Sequence, residues 1–260
     1  MILFVLLREE FLPGSTIMSV FLKGLREGGV SMIDSKKLLV FDVNETLLDI
    51  ESLRPFFQGL FQDGDVMREW FAQLVLYSQT ITLAGLYVPF GALAAGALRM
   101  TAEIHEVHCR QEDVRNLHAA LSVLPAHPEA AAALALLHER GCRMVTLTNS
   151  PPAAGESALE RAGLARYFER NFSVHEVRRF KPAPQTYQAV AHAMGVEPEA
   201  MCLVAAHVWD TLGAQALGAS GVLIARQGNA PLPVEGIPQP DYVATDLMDF
   251  VEWMTGFEKE

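Results

Sequence analysis

The sequence predicts an α/β protein: a three-layer core on a parallel sheet, with a helical domain inserted after the first strand. Three observations carry this. Short apolar runs recur along the chain, as buried parallel strands do. Helical patterns alternate with them, the order expected of βαβ units. Residues 52–126 carry helical patterns and no strand signal, a stretch far longer than an ordinary connection.

Taken in order, residues 1–33 begin with seven apolar residues and then meet Arg8, Glu9 and Glu10. Seven residues are too few to cross a bilayer, and no basic segment precedes them. The stretch reads as an extension, or as a start placed too early. The run from Lys37 to Asp42 is the first strand. Trp70 to Leu98 carries no formal charge, but polar residues and the breakers Gly85 and Pro89 interrupt it. A single membrane helix through Pro89 would lose a hydrogen bond and kink, so two packed helices are expected there. His127–Arg140 is a helix with Gly141 just past its end. A strand at Arg143–Thr148 follows, then helices over 154–163 and 184–195, a strand at Met201–Ala205 and a helix from about 210. A strand at Gly221–Ala225, a Pro/Gly-rich loop over 226–240, a strand near 241–244 and a helix over 246–256 complete the chain. The expected division is a Rossmann-like core from residues 34–51 and 127–260, with a helical cap from residues 52–126. The insertion leaves the carboxyl end of the first strand, where open α/β sheets bind ligands.

Composition narrows the function. Half of the 260 residues are apolar and 20% are charged, which excludes intrinsic disorder. The net charge of −11 repels phosphate backbones and argues against nucleic-acid partners. Cys109, Cys142 and Cys202 are few, odd in number and lack metal-ligand spacing, so no disulfide framework is implied and a reducing, cytoplasmic compartment is expected. No membrane partner is expected. An apolar cap helix is a candidate surface for a homodimer.

Reactive residues gather at the strand exits. Asp42-Val-Asn-Glu-Thr46 leaves the first strand, and Thr148-Asn149-Ser150 the second. Arg179-Phe-Lys-Pro182 precedes a helix, and Ala205-Ala-His-Val-Trp-Asp210 follows the third strand. Singly, each has a plain structural meaning: an acid after a strand often caps a helix, and Lys-Pro is a common turn. Together, two acids, a lysine and a hydroxyl/amide pair converge on one sheet edge.

In order and placement these segments resemble the motifs of the haloacid dehalogenase superfamily, and most closely its type II (S)-2-haloacid dehalogenases. The inserted helices are similar to that superfamily's small cap. The resemblance implies an aspartyl nucleophile at Asp42, which displaces halide from the α-carbon of a small 2-haloacid to leave an ester for water to hydrolyse. It implies that Lys181 keeps Asp42 ionised, and that Asp210 holds Lys181 or helps activate water. It also implies that Thr46, Thr148 and Asn149 position the nucleophile or bind the substrate carboxylate, while Tyr187 and Trp209 line the site.

The chain departs from the superfamily's patterns in informative ways. Phosphatases of the superfamily carry an acid two residues after the nucleophile to protonate the leaving oxygen; here Asn44 stands there, where dehalogenases commonly have a tyrosine. The extra acid that would hold magnesium is replaced by Ala205, Ala206 and His207, leaving too few hard oxygen ligands. No metal and no cofactor are therefore expected. The family's cap arginine aligns with Phe71, and Arg68 one turn earlier is the expected substitute. His207 could act as a general base or fill a polar slot. A small-metabolite phosphatase and a non-catalytic ligand-binding member are the alternative readings.

Overall fold

The computed structural model describes residues 37–152 and 157–256; the expected N-terminal extension lies outside them. Six parallel strands form one sheet: β1 (Leu38–Phe41), β2 (Met144–Thr148), β3 (Arg170–Ser173), β4 (Met201–Ala205), β5 (Ser220–Ile224) and β6 (Tyr242–Ala244). Their order is β3-β2-β1-β4-β5-β6. β1 is central: Val40 registers with Val145 on one side and Leu203 on the other. Every residue of β1 and β4 is buried. Such strands need apolar side chains on both faces, which explains why they read as unbroken apolar runs.

The order of the strands sets the site. The chain moves outward from β1 to β2 and β3, then returns to β4 on the opposite side of β1. This reversal opens a crevice at the carboxyl ends of β1 and β4. Asp42 is the first residue beyond β1, and His207 lies just beyond β4.

Four helices leave the same edge: α1 (Arg54–Phe61), α2 (Val66–Leu83), α3 (Phe90–Ile104) and α4 (Gln111–Ser122). The uncharged stretch is two helices, as expected, with Pro89 at the N-cap of α3. Buried Trp70 on α2 ties them together by donating from Nε1 to the Ala94 carbonyl at 3.0 Å. No helix among the described residues is long and apolar enough to cross a membrane.

On the core, α5 (Ala130–Glu139), α7 (Pro184–Met194), α8 (Val208–Gln215) and α9 (Leu247–Thr255) fall where periodicity placed helices. The helix expected over 154–163 is described only as α6 (Ala158–Arg161), whose capping box pairs Ser157 with Glu160. β3 carries no sequence signal. Arg170 and Asn171 are exposed and Phe172 is its only buried residue, as suits an edge strand with little apolar surface to display.

Candidate active site

The loop leaving β1 is a tight turn. Leu47 and Leu48 both donate their amides to the Val43 carbonyl. Glu45 adopts a left-handed φ of 68°, uncommon for a residue with a β-carbon and often a mark of a functional site. The turn points Asp42, Glu45 and Thr46 inward, and all three are buried.

Asp42 has partners on both oxygens. Oδ1 accepts from Lys181 Nζ at 2.7 Å, and Oδ2 accepts from Thr46 Oγ1 at 2.8 Å. Thr46 is fixed in turn by the Ala206 amide. Lys181 Nζ also donates to Asp210 Oδ2 at 2.5 Å and to the Leu147 carbonyl at 3.0 Å. All three ammonium protons are thereby used. Asn149 holds the lysine's backbone, with Oδ1 accepting from the Lys181 amide. Tyr187 Oη donates to Asp210 Oδ1 at 2.6 Å. Close packing supports this: a β-carbon on Gly213 would lie 2.5 Å from Pro182 Cβ and 2.7 Å from Tyr187 Oη.

Burial opposes charge on Lys181, yet Asp210 and Asp42 outweigh it and hold the ammonium above its ordinary range. Asp210 is pushed the other way: burial, joined by the charge of Asp42, raises its carboxyl against the pull of Lys181. Burial and then Asp210 push the Tyr187 hydroxyl well above its usual range, so Tyr187 remains a donor.

The other flank of Asp42 differs. His207 Nε2 meets Glu45 Oε2 at 2.7 Å. Burial works against the Glu45 carboxylate, but His207 and Arg68 outweigh it and keep the carboxyl below its ordinary range. An ionised Glu45 can only accept, so Nε2 is the donor in this pair. Nδ1 is buried, has no hydrogen-bond partner and lies 4.0 Å from Asp42 Oδ2. Aromatic rings hold the imidazole in place, Trp209 at 5.1 Å and Phe71 at 5.5 Å between centroids.

The structure thus brings Asp42, Thr46, Asn149, Lys181, Tyr187, His207, Trp209 and Asp210 together. Tyr187, expected to line the site, is instead fully buried behind Asp210. Arg68, expected in place of the cap arginine, gives its guanidinium to Glu45, Glu51 and the Gln227 carbonyl. Phe71 brings the cap onto His207. Asn44 and Thr148 lie on the wall of a cavity of about 580 Å³ between the inserted helices and the sheet edge. Glu45 is the residue that sequence reasoning missed. Its only signal was an acid near Asp42 in a chain with a histidine after β4, and their pairing exists only in three dimensions.

A model of the haloacid dehalogenase-like hydrolases matches residues 36–218. The chain belongs to that family. It is similar to the (S)-2-haloacid dehalogenase 4A of Burkholderia cepacia, at 31% identity over 208 residues, 77% of this chain and 87% of the relative. The (S)-2-haloacid dehalogenase 1 of Pseudomonas sp. (strain CBS-3) is 30% identical over 80% of this chain and 92% of its own length. The crystal structure of the L-2-haloacid dehalogenase from Xanthobacter autotrophicus superposes with a TM-score of 0.76 at 25% identity, covering 85% of this chain and 99% of that one. The phosphoglycolate phosphatase of Neisseria gonorrhoeae is 27% identical over only 48% of the chain.

Proposed function

We propose that this hydrolase removes halide from (S)-2-haloacids through an ester on Asp42, without a metal. One observation carries the reading: a buried, ion-paired carboxylate lies 4.0 Å from a buried imidazole nitrogen that has no hydrogen-bond partner. In the first step an Asp42 oxygen attacks the substrate's α-carbon, the carbon–halogen bond breaks and halide leaves with the electron pair. Lys181 and Thr46 hold the two Asp42 oxygens in alignment. In the second step a water held between His207 Nδ1 and Asp42 adds to the Asp42 carbonyl carbon. His207 takes one proton, Glu45 steadies the imidazolium, and collapse expels the 2-hydroxy acid, which receives that proton back; the second proton of the water is left on Asp42 and passes to solvent, restoring the carboxylate. Only the first step touches the α-carbon, so its configuration inverts once.

The metal-free reading rests on the donor set. Asp42 and Asp210 are both engaged by Lys181, Asn44 offers no charge, and Ala205 and Ala206 offer no side-chain donor at the β4 exit. Asn44, Thr148 and Trp209 border the substrate. Phe71 presses on His207 where the family's arginine would stand, and Arg68 acts only through Glu45. In this reading residues 34–51 and 127–260 are the core and 52–126 the cap. The free cysteines suit a cytoplasmic home, and exposed Leu83 and Leu86 suit pairing of two caps.

The test uses (S)-2-chloropropionate with and without EDTA. Chloride release unaffected by EDTA, with an (R)-configured hydroxy acid as product, supports the reading. In a single turnover in ¹⁸O-water the label enters Asp42 before the product. Asp42→Asn lowers turnover by about 10⁴-fold or more. Magnesium-dependent release of phosphate from a phosphate ester, with no chloride, supports the phosphatase alternative. Silence in both, with melting shifts on adding acid, supports a binding protein.

A further inference from the structure

The cavity bordered by Val43 and Asn44, the two residues after Asp42, is much larger than a three-carbon acid requires. It holds about 580 Å³, within the range of about 300–1,000 Å³ used for drug-sized ligands. A water takes about 30 Å³ of liquid, so the six heavy atoms of 2-chloropropionate need under about 200 Å³ by the same measure. The reacting end is located by Val43 and Asn44, the two residues after Asp42, and by Phe71, which both lines the cavity and packs against His207. From there the space runs away from the nucleophile, under Leu74, Phe90 and Ala94 of the inserted helices and along β2 and β3 to α6.

Its walls disclose what fills the remainder. Among the described residues no lysine or arginine lines it, so none of them balances a second negative charge. Many of its polar groups are bonded to one another or to backbone. Thr146 Oγ1 donates to Asn171 Oδ1, Asn44 Nδ2 to Ser150 Oγ, and Ser173 Oγ to the Ser150 carbonyl. Glu160, the one carboxylate among the described residues that line it, is used by Ser157 in the cap of α6. Surfaces of this kind gain from apolar atoms and not from charge.

We infer that this cavity takes a neutral, apolar arm on the α-carbon, so that the preferred substrates are 2-haloacids with an alkyl chain or aryl ring of several carbons. The inference rests on the dehalogenase reading. It makes Gly91 a determinant of chain length: the residue lines the cavity, and a β-carbon there would meet only His118 Nε2, at 3.9 Å. A larger side chain at this position has room to grow into the space.

The experiment measures kcat/KM across (S)-2-chloropropionate, 2-chlorohexanoate, 2-chlorooctanoate and 2-chlorosuccinate. Each added methylene raises kcat/KM about fourfold, giving at least about a 100-fold preference for the octanoate over the propionate. The succinate, with its second carboxylate, falls below the hexanoate by at least about 100-fold. Gly91→Leu cuts the octanoate-to-propionate ratio at least tenfold. A flat or falling series in the wild-type protein overturns the inference, whether or not the variant folds. If no haloacid reacts, the dehalogenase reading falls and calorimetry with octanamide decides the cavity separately. Binding that Gly91→Leu weakens tenfold upholds an apolar site, and absence of octanamide binding to the wild-type protein overturns it.

Discussion

The two flanks of Asp42 are built on opposite plans. On one side Lys181, Asp210, Tyr187 and Asn149 form a closed set in which the ammonium protons and the facing carboxylate oxygens all have partners. On the other side Glu45, Phe71 and Trp209 hold His207 so that one nitrogen is left without a hydrogen-bond partner, 4.0 Å from Asp42. A buried polar atom without a partner costs free energy, and a protein keeps one where it has a use. The saturated flank holds charge in place, and the unsaturated flank is where a proton can move.

The sharpest way to break this contrast is to remove the hub of the saturated flank. Lys181→Met leaves Asp42 and Asp210 facing each other, both buried. Loss of one partner of a buried ion pair costs about 3–5 kcal/mol, so thermal unfolding falls by roughly 10 °C or more and turnover disappears. A variant that melts with the wild type would contradict the assignment of Lys181 as the hub.

Removing the base on the other flank has a different signature. His207→Ala leaves the first step intact and slows ester hydrolysis by about 10²–10⁴-fold. Rapid mixing with 2-chloropropionate then gives a burst of chloride matching the enzyme concentration, and mass spectrometry finds the adduct on the Asp42 peptide. Glu45→Gln shows the same burst with a smaller loss. Equal slowing of burst and steady state in His207→Ala would place His207 outside the second step.

Acid separates the flanks by sign. The Glu45 carboxyl lies below its ordinary range, because His207 and Arg68 outweigh the burial that raises it. Its contribution to stability is present above the ordinary carboxylate range, near pH 4.3, and is lost as pH falls through the lowered value. Asp210 is shifted upward, so its uptake of a proton favours the fold on acidification. Lys181 is also shifted upward, and its contribution is fully present until pH exceeds the ordinary lysine range. The unfolding temperature of the wild type should therefore be steady near neutrality and drop below roughly pH 4, with a shallower drop in Glu45→Gln. Identical acid limbs would deny Glu45 this share.

The smallest expected effect comes from Tyr187→Phe. It removes one hydrogen bond to a buried carboxylate, worth about 1.5–3 kcal/mol, while the ring still fills its place against Gly213. KM is unchanged, because Tyr187 sits behind Asp210 and away from substrate, and kcat falls several-fold because Asp210, a partner of Lys181, loses the hydrogen bond that fixes it. A large change in KM would return Tyr187 to the substrate's surroundings.

Much of this protein was legible in its sequence. Strands β1, β2, β4 and β5 announce themselves because burial on both faces demands continuous apolar runs. Pro89 divides the uncharged stretch into two helices for the covalent reason that it lacks an N–H. Asp42, Lys181 and Asp210 stood out because each lies at or near a strand exit in the order the family uses. β3 was silent, since an edge strand with one buried side chain leaves no pattern. What only the tertiary structure decided was pairing across the chain. Glu45 reaches His207 over 162 positions, Arg68 is drawn to Glu45 and Glu51 and away from the cavity, and Phe71 lands on the imidazole. Local sequence records which face of an element is apolar. Which acid meets which base depends on distances that exist only once the sheet has brought β1 and β4 side by side.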